Sequence, residues 1–230
     1  MLLTSHGLRN AAIRDALTEL LGMPTPDARI AVVIDAILPF PDDKSTFLGH
    51  LNDLHGLGWA EFDVVSLLAG HRPLVEERLR SADVILAYGG SNVWLAHAWT
   101  STGLAELLPE LLEQKVYVGW SAGSMIFSAR QAAAVAAFED DEVERFGLGG
   151  TAPAVELFDW FLMPHLGAEW APEQDDAWAA RYAARLGAPI WFIDDETALI
   201  VRDPAVEPEV ISNGRWLRFA ASGALSRSPS

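Results

Sequence analysis

At 230 residues the chain is long enough for one or two domains with a sizeable buried core, since half of it is hydrophobic and 21% is charged. Its 16 basic and 32 acidic side chains leave a net charge of −16, with the arginines scattered, which argues against a nucleic-acid or anionic-membrane partner. The absence of cysteine excludes disulfides, thiolate metal sites and any cysteine nucleophile.

The first residues, Met1 to His6, lack the basic flank and long apolar run of a signal peptide. No later stretch supplies about 18 uninterrupted apolar residues, so a cytoplasmic protein is expected. Arg29 to Ala36 is a continuous β-branched run that predicts a buried strand, and Lys44 to Leu57 places Phe47, Leu48, Leu51, Leu54 and Leu57 at helical spacing. Phe62 to Leu68, Val75 to Ala82, Val84 to Tyr88, Trp94 to Gln114 and Val116 to Val118 repeat the alternation. Such short runs, apolar throughout, predict parallel strands buried on both faces.

Ala122 to Phe138 reads as a helix, Glu139 to Glu144 as an acidic, solvated turn, and Phe146 to Pro153 as a loop. Ala177 to Leu186 is helical, Ile190 to Ile193 a strand, and Thr197 to Val201 a strand paired with Val210 and Ile211. Asn213-Gly214, followed by Trp216, Leu217 and Phe219, is a hairpin signal. With no internal repeat or linker, a single domain over residues 1–220 is expected, ending in a frayed tail over 221–230.

The segment richest in chemistry is Val116 to Met125, where a strand runs into Gly119-Trp120-Ser121-Ala122-Gly123 and then into a helix. A sharp strand-to-helix turn of this kind lifts a serine hydroxyl to the carboxyl edge of a sheet. The N–H of Ala122 would then face a developing oxyanion. The bland reading is a small-residue turn that packs a helix on a sheet.

A serine nucleophile needs a base and a group that orients it. The last histidine is His165, after Phe161 to Pro164, and the suitable acids, Asp194-Asp195-Glu196, follow it. The order serine, histidine, acid differs from that of α/β-hydrolases, where the acid precedes the histidine. A buried histidine bonded to a backbone carbonyl is the plain alternative for His165. His50 and His55 lie on a predicted helix with a solvated role expected, and His6, His71 and His97 have no acid close by in sequence. Gly89-Gly90-Ser91-Asn92 follows a buried strand and precedes a helix. It is either a second source of oxyanion donors or a simple turn with an Asn cap.

In these elements the sequence resembles the peptidase E family of aspartyl dipeptidases, with its cyanophycinase-like relatives. The resemblance spans nearly the whole chain and rests on the Gly89 to Asn92 loop, the elbow at Ser121, the Pro164-His165 pair and the acid before the strand at Thr197. It implies a single α/β domain, mostly parallel and with helices on both faces, like the class I glutamine amidotransferases. It also implies Ser121 as nucleophile, His165 as base and Asp195 as the orienting acid. Ala122, Gly90 and Ser91 are then the oxyanion donors, and Asn92, Trp120, Trp178 and Arg181 the substrate contacts. In the family an arginine on the helix after the histidine holds the aspartyl side chain. Trp178 stands there in this chain, near Glu169, Glu173, Asp175 and Asp176, and an acidic substrate is disfavoured.

The expected chemistry is hydrolysis of short peptides through an acyl-enzyme, with no metal or organic cofactor, in a monomer or homodimer. A small-molecule esterase or amidase with the same three residues, or a silent binding protein on the same scaffold, are the alternatives.

Overall fold

The computed structural model describes residues 1–228. In chain order the regular elements begin with β1 (Leu2–Thr4), α1 (Ala11–Leu21), β2 (Arg29–Val33), α2 (Ser45–His55) and β3 (Glu61–Val65). They continue with α3 (Arg72–Ser81), β4 (Val84–Ala87), α4 (Asn92–Ser101), α5 (Leu108–Gln114) and β5 (Val116–Trp120). The second half holds α6 (Gln131–Ala137), α7 (Glu142–Arg145), β6 (Phe161–Met163), α8 (Asp176–Leu186) and β7 (Ile190–Ile193). Last come β8 (Thr197–Ile200), β9 (Glu209–Ser212), β10 (Trp216–Phe219) and β11 (Leu225–Arg227).

Seven strands form the main sheet in the order β3-β2-β4-β5-β1-β8-β9, parallel as far as β1 and antiparallel beyond it. Alternation of side chains across the pleat explains the unbroken apolar runs. Ile30, Val32, Val84, Leu86 and Val118 bury one face under α1 and α2, with Ile13, Leu17 and Leu54. Ala31, Val33, Ile85 and Tyr117 bury the other, with Val75, Leu79, Leu95, Trp99 and Leu111 from α3, α4 and α5. The expected α/β architecture is present, and among the described residues no helix is long and apolar enough to cross a membrane.

A second sheet, β11-β10-β7-β6, was not anticipated. Phe161, Ile190, Phe192 and Phe219 pack there against Ala134 of α6 and Ala179 and Ala183 of α8. This sheet corrects two expectations. Asn213-Gly214 does not close a hairpin, because β9 pairs with β8 in the main sheet whereas β10 pairs with β7 and β11 in the second. The crossing is tied to Asp194, which accepts the Arg215 N–H at 2.6 Å, and a β-carbon on Gly214 would lie 2.1 Å from the same carboxylate. Nor is the start of the C-terminal segment frayed: Leu225–Arg227 adds a strand to β10. Residues 229–230 lie outside the described residues.

The helix expected over Ala122 to Phe138 is broken. Ser121–Ser124 is a 3₁₀ turn, and α6 begins only at Gln131. Ser124 accepts the Thr4 N–H and donates to the Thr4 carbonyl, while carbonyls of Ile126 and Phe127 accept N–H groups of Ala154 and Leu157. Side-chain and long-range partners thus replace the helical ladder. The acidic turn at Glu139 to Glu144 is likewise part helix, α7, with Glu142 turned inward.

Candidate active site

Ser121 stands where β5 ends, with φ 51°, a left-handed conformation that a serine adopts only at a cost. The turn closes because Gly123 offers no side chain: a β-carbon there would lie 2.1 Å from the Ala87 carbonyl oxygen. Such tight packing of the turn on β4 turns the serine side chain outward. His165 follows β6 and is also left-handed, with φ 66°. Asp195 follows β7, in the turn that leads to β8.

These three side chains meet. Ser121 Oγ lies 2.9 Å from His165 Nε2, and His165 Nδ1 lies 2.7 Å from Asp195 Oδ1. Of the three neighbouring acids only Asp195 faces the imidazole. Asp194 accepts from Thr197 Oγ1, Glu196 N–H and Arg215 N–H, and Glu196 pairs with Arg9 and Asn10. Partial burial would raise the Asp195 carboxyl, but hydrogen bonds from His165 and Ser5, aided by the charges of His165 and His6, outweigh it and hold the group at about 2. The acid is therefore ionised throughout the neutral range.

Two residues of this centre were missed in the sequence. Ser5, just past β1, donates to Asp195 Oδ1 at 2.6 Å and accepts the His165 backbone N–H at 2.9 Å. His6 lies beyond it, Nδ1 3.7 Å from Asp195 Oδ2, its ring edge-on to His50 and tilted against Trp120. Burial lowers the His6 imidazole from its ordinary range, with Asp195 opposing. An acid 189 positions further along the chain gives no local signal, and a three-residue strand hardly announces the residues behind it. Trp170, 66% exposed, stands edge-on to the His165 ring at 4.8 Å.

The loop after β4 passes close to Ser121: a β-carbon on Gly89 would come within 3.2 Å of the serine Cβ. The Ala122 N–H is in the first turn of a 3₁₀ segment and has no acceptor within it. Among the described residues no acceptor occupies the Gly90 N–H either. Ser91 corrects an expectation, because its N–H donates to the Ala36 carbonyl at 2.9 Å and is not free for an oxyanion. Its hydroxyl caps α4 by accepting the Trp94 N–H, a task expected of Asn92, and donates to Glu142 Oε2 at 2.5 Å. Asn92 is buried, with Nδ2 unpartnered among the described residues.

Trp120 lines a cavity of about 370 Å³ together with His6, Leu8, His50, Asp53 and Leu54. His50 departs from the solvated role expected of it, since its Nδ1 lies 2.6 Å from the Tyr88 hydroxyl. Trp178 and Arg181 are not brought to Ser121, His165 and Asp195. Trp178 packs among Phe138, Tyr182 and Phe192, because α8 uses that face to cover the second sheet, and Arg181 is exposed.

Residues 1–208 match the family model described as Peptidase family S51. Among solved structures, a candidate peptidase E protein from Listeria monocytogenes EGD-e superposes with a TM-score of 0.72 at 19% identity, covering 93% of this chain and 98% of the other. A peptidase from an acI-B1 Actinobacterium gives 0.68 at 17% identity, covering 100% of this chain and 93% of its own. A search of curated proteins finds no match.

Proposed function

Because the chain belongs to peptidase family S51 and is thereby a serine peptidase, we propose that it hydrolyses dipeptides and other short peptides with a free N-terminus, using Ser121, His165 and Asp195. The observation that carries this reading is the continuous relay Ser121 Oγ, His165 Nε2, His165 Nδ1, Asp195 Oδ1 at 2.9 and 2.7 Å. Ser121 attacks the scissile carbonyl while His165 Nε2 takes its proton. Ionised Asp195 holds Nδ1–H and stabilises the imidazolium. The N–H groups of Ala122 and Gly90 receive the oxyanion, His165 then protonates the leaving amine, and water releases the acyl group from Ser121.

The N-terminal side chain of the substrate occupies the cavity beside Trp120. Its walls favour an uncharged residue: Arg9 is paired with Glu196, Arg14 donates to the Leu8 and Arg9 carbonyls opposite Asp53, and His50 is lowered by burial.

A panel of dipeptides tests this. At least one uncharged N-terminal residue should be cleaved faster than Asp-X, and intact casein should not be cleaved. Preferred cleavage of Asp-X would overturn the substrate assignment. An active-site-directed fluorophosphonate should label Ser121, and an unlabelled enzyme beside a labelled control hydrolase would overturn the mechanism.

A further inference from the structure

The two oxygens of Asp195 have different surroundings. Oδ1 accepts from both Ser5 and His165, whereas Oδ2 accepts no hydrogen bond among the described residues. Facing Oδ2 is His6 Nδ1, at 3.7 Å, beyond the reach of a hydrogen bond. The His6 ring is held there by packing, edge-on to His50 at 5.1 Å and against Trp120 at 5.3 Å. One ring nitrogen each from His6 and His165 and one oxygen of Asp195 lie within 4.8 Å of one another. The His165 nitrogen that faces the carboxylate is Nδ1.

This spacing has a chemical meaning. Two ligands of a tetrahedral zinc ion, each about 2.0–2.1 Å from the metal, are separated by roughly 3.4 Å. The 3.7 Å gap between His6 and Asp195 is nearer to that spacing than to a hydrogen bond, whereas His165 Nδ1 and Asp195 Oδ1, 2.7 Å apart, would part by about 0.7 Å as an ion replaces the proton between them. Two imidazoles and one carboxylate suit zinc and its neighbours in the first transition row and do not suit magnesium or calcium, which take oxygen ligands. We propose that His6, Asp195 and His165 form an inhibitory binding site for a divalent transition-metal ion, with zinc as the reference ion.

Inhibition follows from proton placement. A neutral imidazole that ligates through Nδ1 carries its one proton on Nε2. In the proposed mechanism the proton is on Nδ1, held by Asp195, and Nε2 accepts from Ser121. Ligation moves the His165 proton from Nδ1 to Nε2 by way of solvent, so the ring stays neutral but now points a donor at the serine. The base is lost although every residue remains in place. At the same time Asp195 gives charge to the ion that it otherwise lends to the imidazolium. Metal binding itself does not depend on the peptidase assignment; its inhibitory consequence rests on that reading of His165.

Calorimetric titration of zinc chloride into the metal-stripped full chain, without substrate, decides the binding. A single site is expected, and His6→Asn should weaken it by at least about tenfold, the loss that even an outer partner of a metal ligand produces. His55→Asn, on the exposed side of α2, should leave it unchanged. Unchanged affinity in His6→Asn, or no binding at millimolar zinc, would overturn the site. Circular dichroism monitors folding, and His6→Gln replaces His6→Asn where the latter is unfolded. In parallel, zinc should inhibit dipeptide hydrolysis reversibly on chelation. The residual rate of His6→Asn, relative to its own metal-free rate, should resist zinc at least about tenfold better. His6-dependent binding without inhibition would overturn the proton-placement argument. If no peptide is hydrolysed at all, the calorimetry still decides the metal site, and the peptidase reading alone falls.

Discussion

Ser121 and the two side chains it meets come from two differently built regions. Ser121 is delivered by one contiguous stretch of buried parallel strand, glycine-bounded turn and short helical segment, braced by Thr4 through Ser124 and packed against Ala87. His165 and Asp195 follow two strands of the second sheet and are fastened by Ser5 from the end of β1, 160 and 190 positions away. The first region is a local motif and the second a tertiary agreement. Ser121 therefore rides on its own strand and turn, while the geometry of His165 and Asp195 depends on a hydroxyl brought from the end of β1.

The largest test concerns whether the two regions act as one unit. Ser121→Ala and His165→Ala should each lower kcat by at least about three orders of magnitude, and the double variant should be little worse. Multiplying losses would separate the two halves. Asp195→Ala should cost less than either, and Asp194→Ala should show itself in Tm more than in kcat, since that carboxylate ties the crossing between sheets.

The next effect isolates the fastening. Ser5→Ala should lower kcat roughly ten- to a hundredfold, the worth of a hydrogen bond to a charged group expressed as a rate, with KM little changed. Ser124→Ala, which affects the other region, should raise the unfolded fraction and thereby lower the apparent activity, with kcat per folded molecule nearly intact; an active-site titration distinguishes the two. A Ser5→Ala enzyme with full kcat would show that the base needs no fastening.

A smaller effect is read in pH dependence of stability. Burial raises Glu142, with Ser91 opposing and Asp140 adding, from 4.5 to about 7. Its folded-state value exceeds the unfolded one, so its contribution is complete below about pH 4.5 and is lost as pH rises through 7. Glu142→Gln should flatten the fall of Tm over that interval. Asp195 has the opposite sign: its value is lowered to about 2, and its contribution disappears as pH falls from the ordinary carboxylate range through that value. Thermal melts between pH 2 and 8 contain both arms, and an unaltered slope in Glu142→Gln would dismiss the first. The smallest effect is backbone strain at the elbow. Ser121→Gly should be more stable to urea than Ser121→Ala by about 1 kcal/mol, because only glycine adopts this left-handed conformation freely.

The same contrast explains what could be read from the sequence. Continuous apolar strands such as Val84–Ala87 and the elbow at Ser121 carry their signal within a few residues, so the α/β class and the position of the serine were legible. The second sheet was not, because Phe161–Met163 and Leu225–Arg227 are three-residue strands whose pairing is decided by partners elsewhere. Asn213-Gly214 misled for a related reason: the turn chemistry is local, but whether the following strand folds back or crosses to another sheet is decided by Asp194. His6 and Ser5 were invisible to any argument from neighbours in sequence. Trp178 was placed by analogy of position, whereas its aromatic surroundings on α8 are a property of the second core.

One element ties the beginning of the chain to its later half. β1 lies inside the main sheet, flanked by β5 on one side and β8 on the other, so its second edge stays open until Thr197–Ile200 has been made. Pairings of such sequence separation are slow to close, since the entropy of a long loop is lost before any contact compensates it. On a ribosome, Ser121 emerges well before His165, Asp195 and the strand that secures Ser5 between them. The nascent chain therefore carries Ser121 without the two side chains it meets in the folded protein, and the three come together only after Thr197–Ile200 has joined β1 in the main sheet.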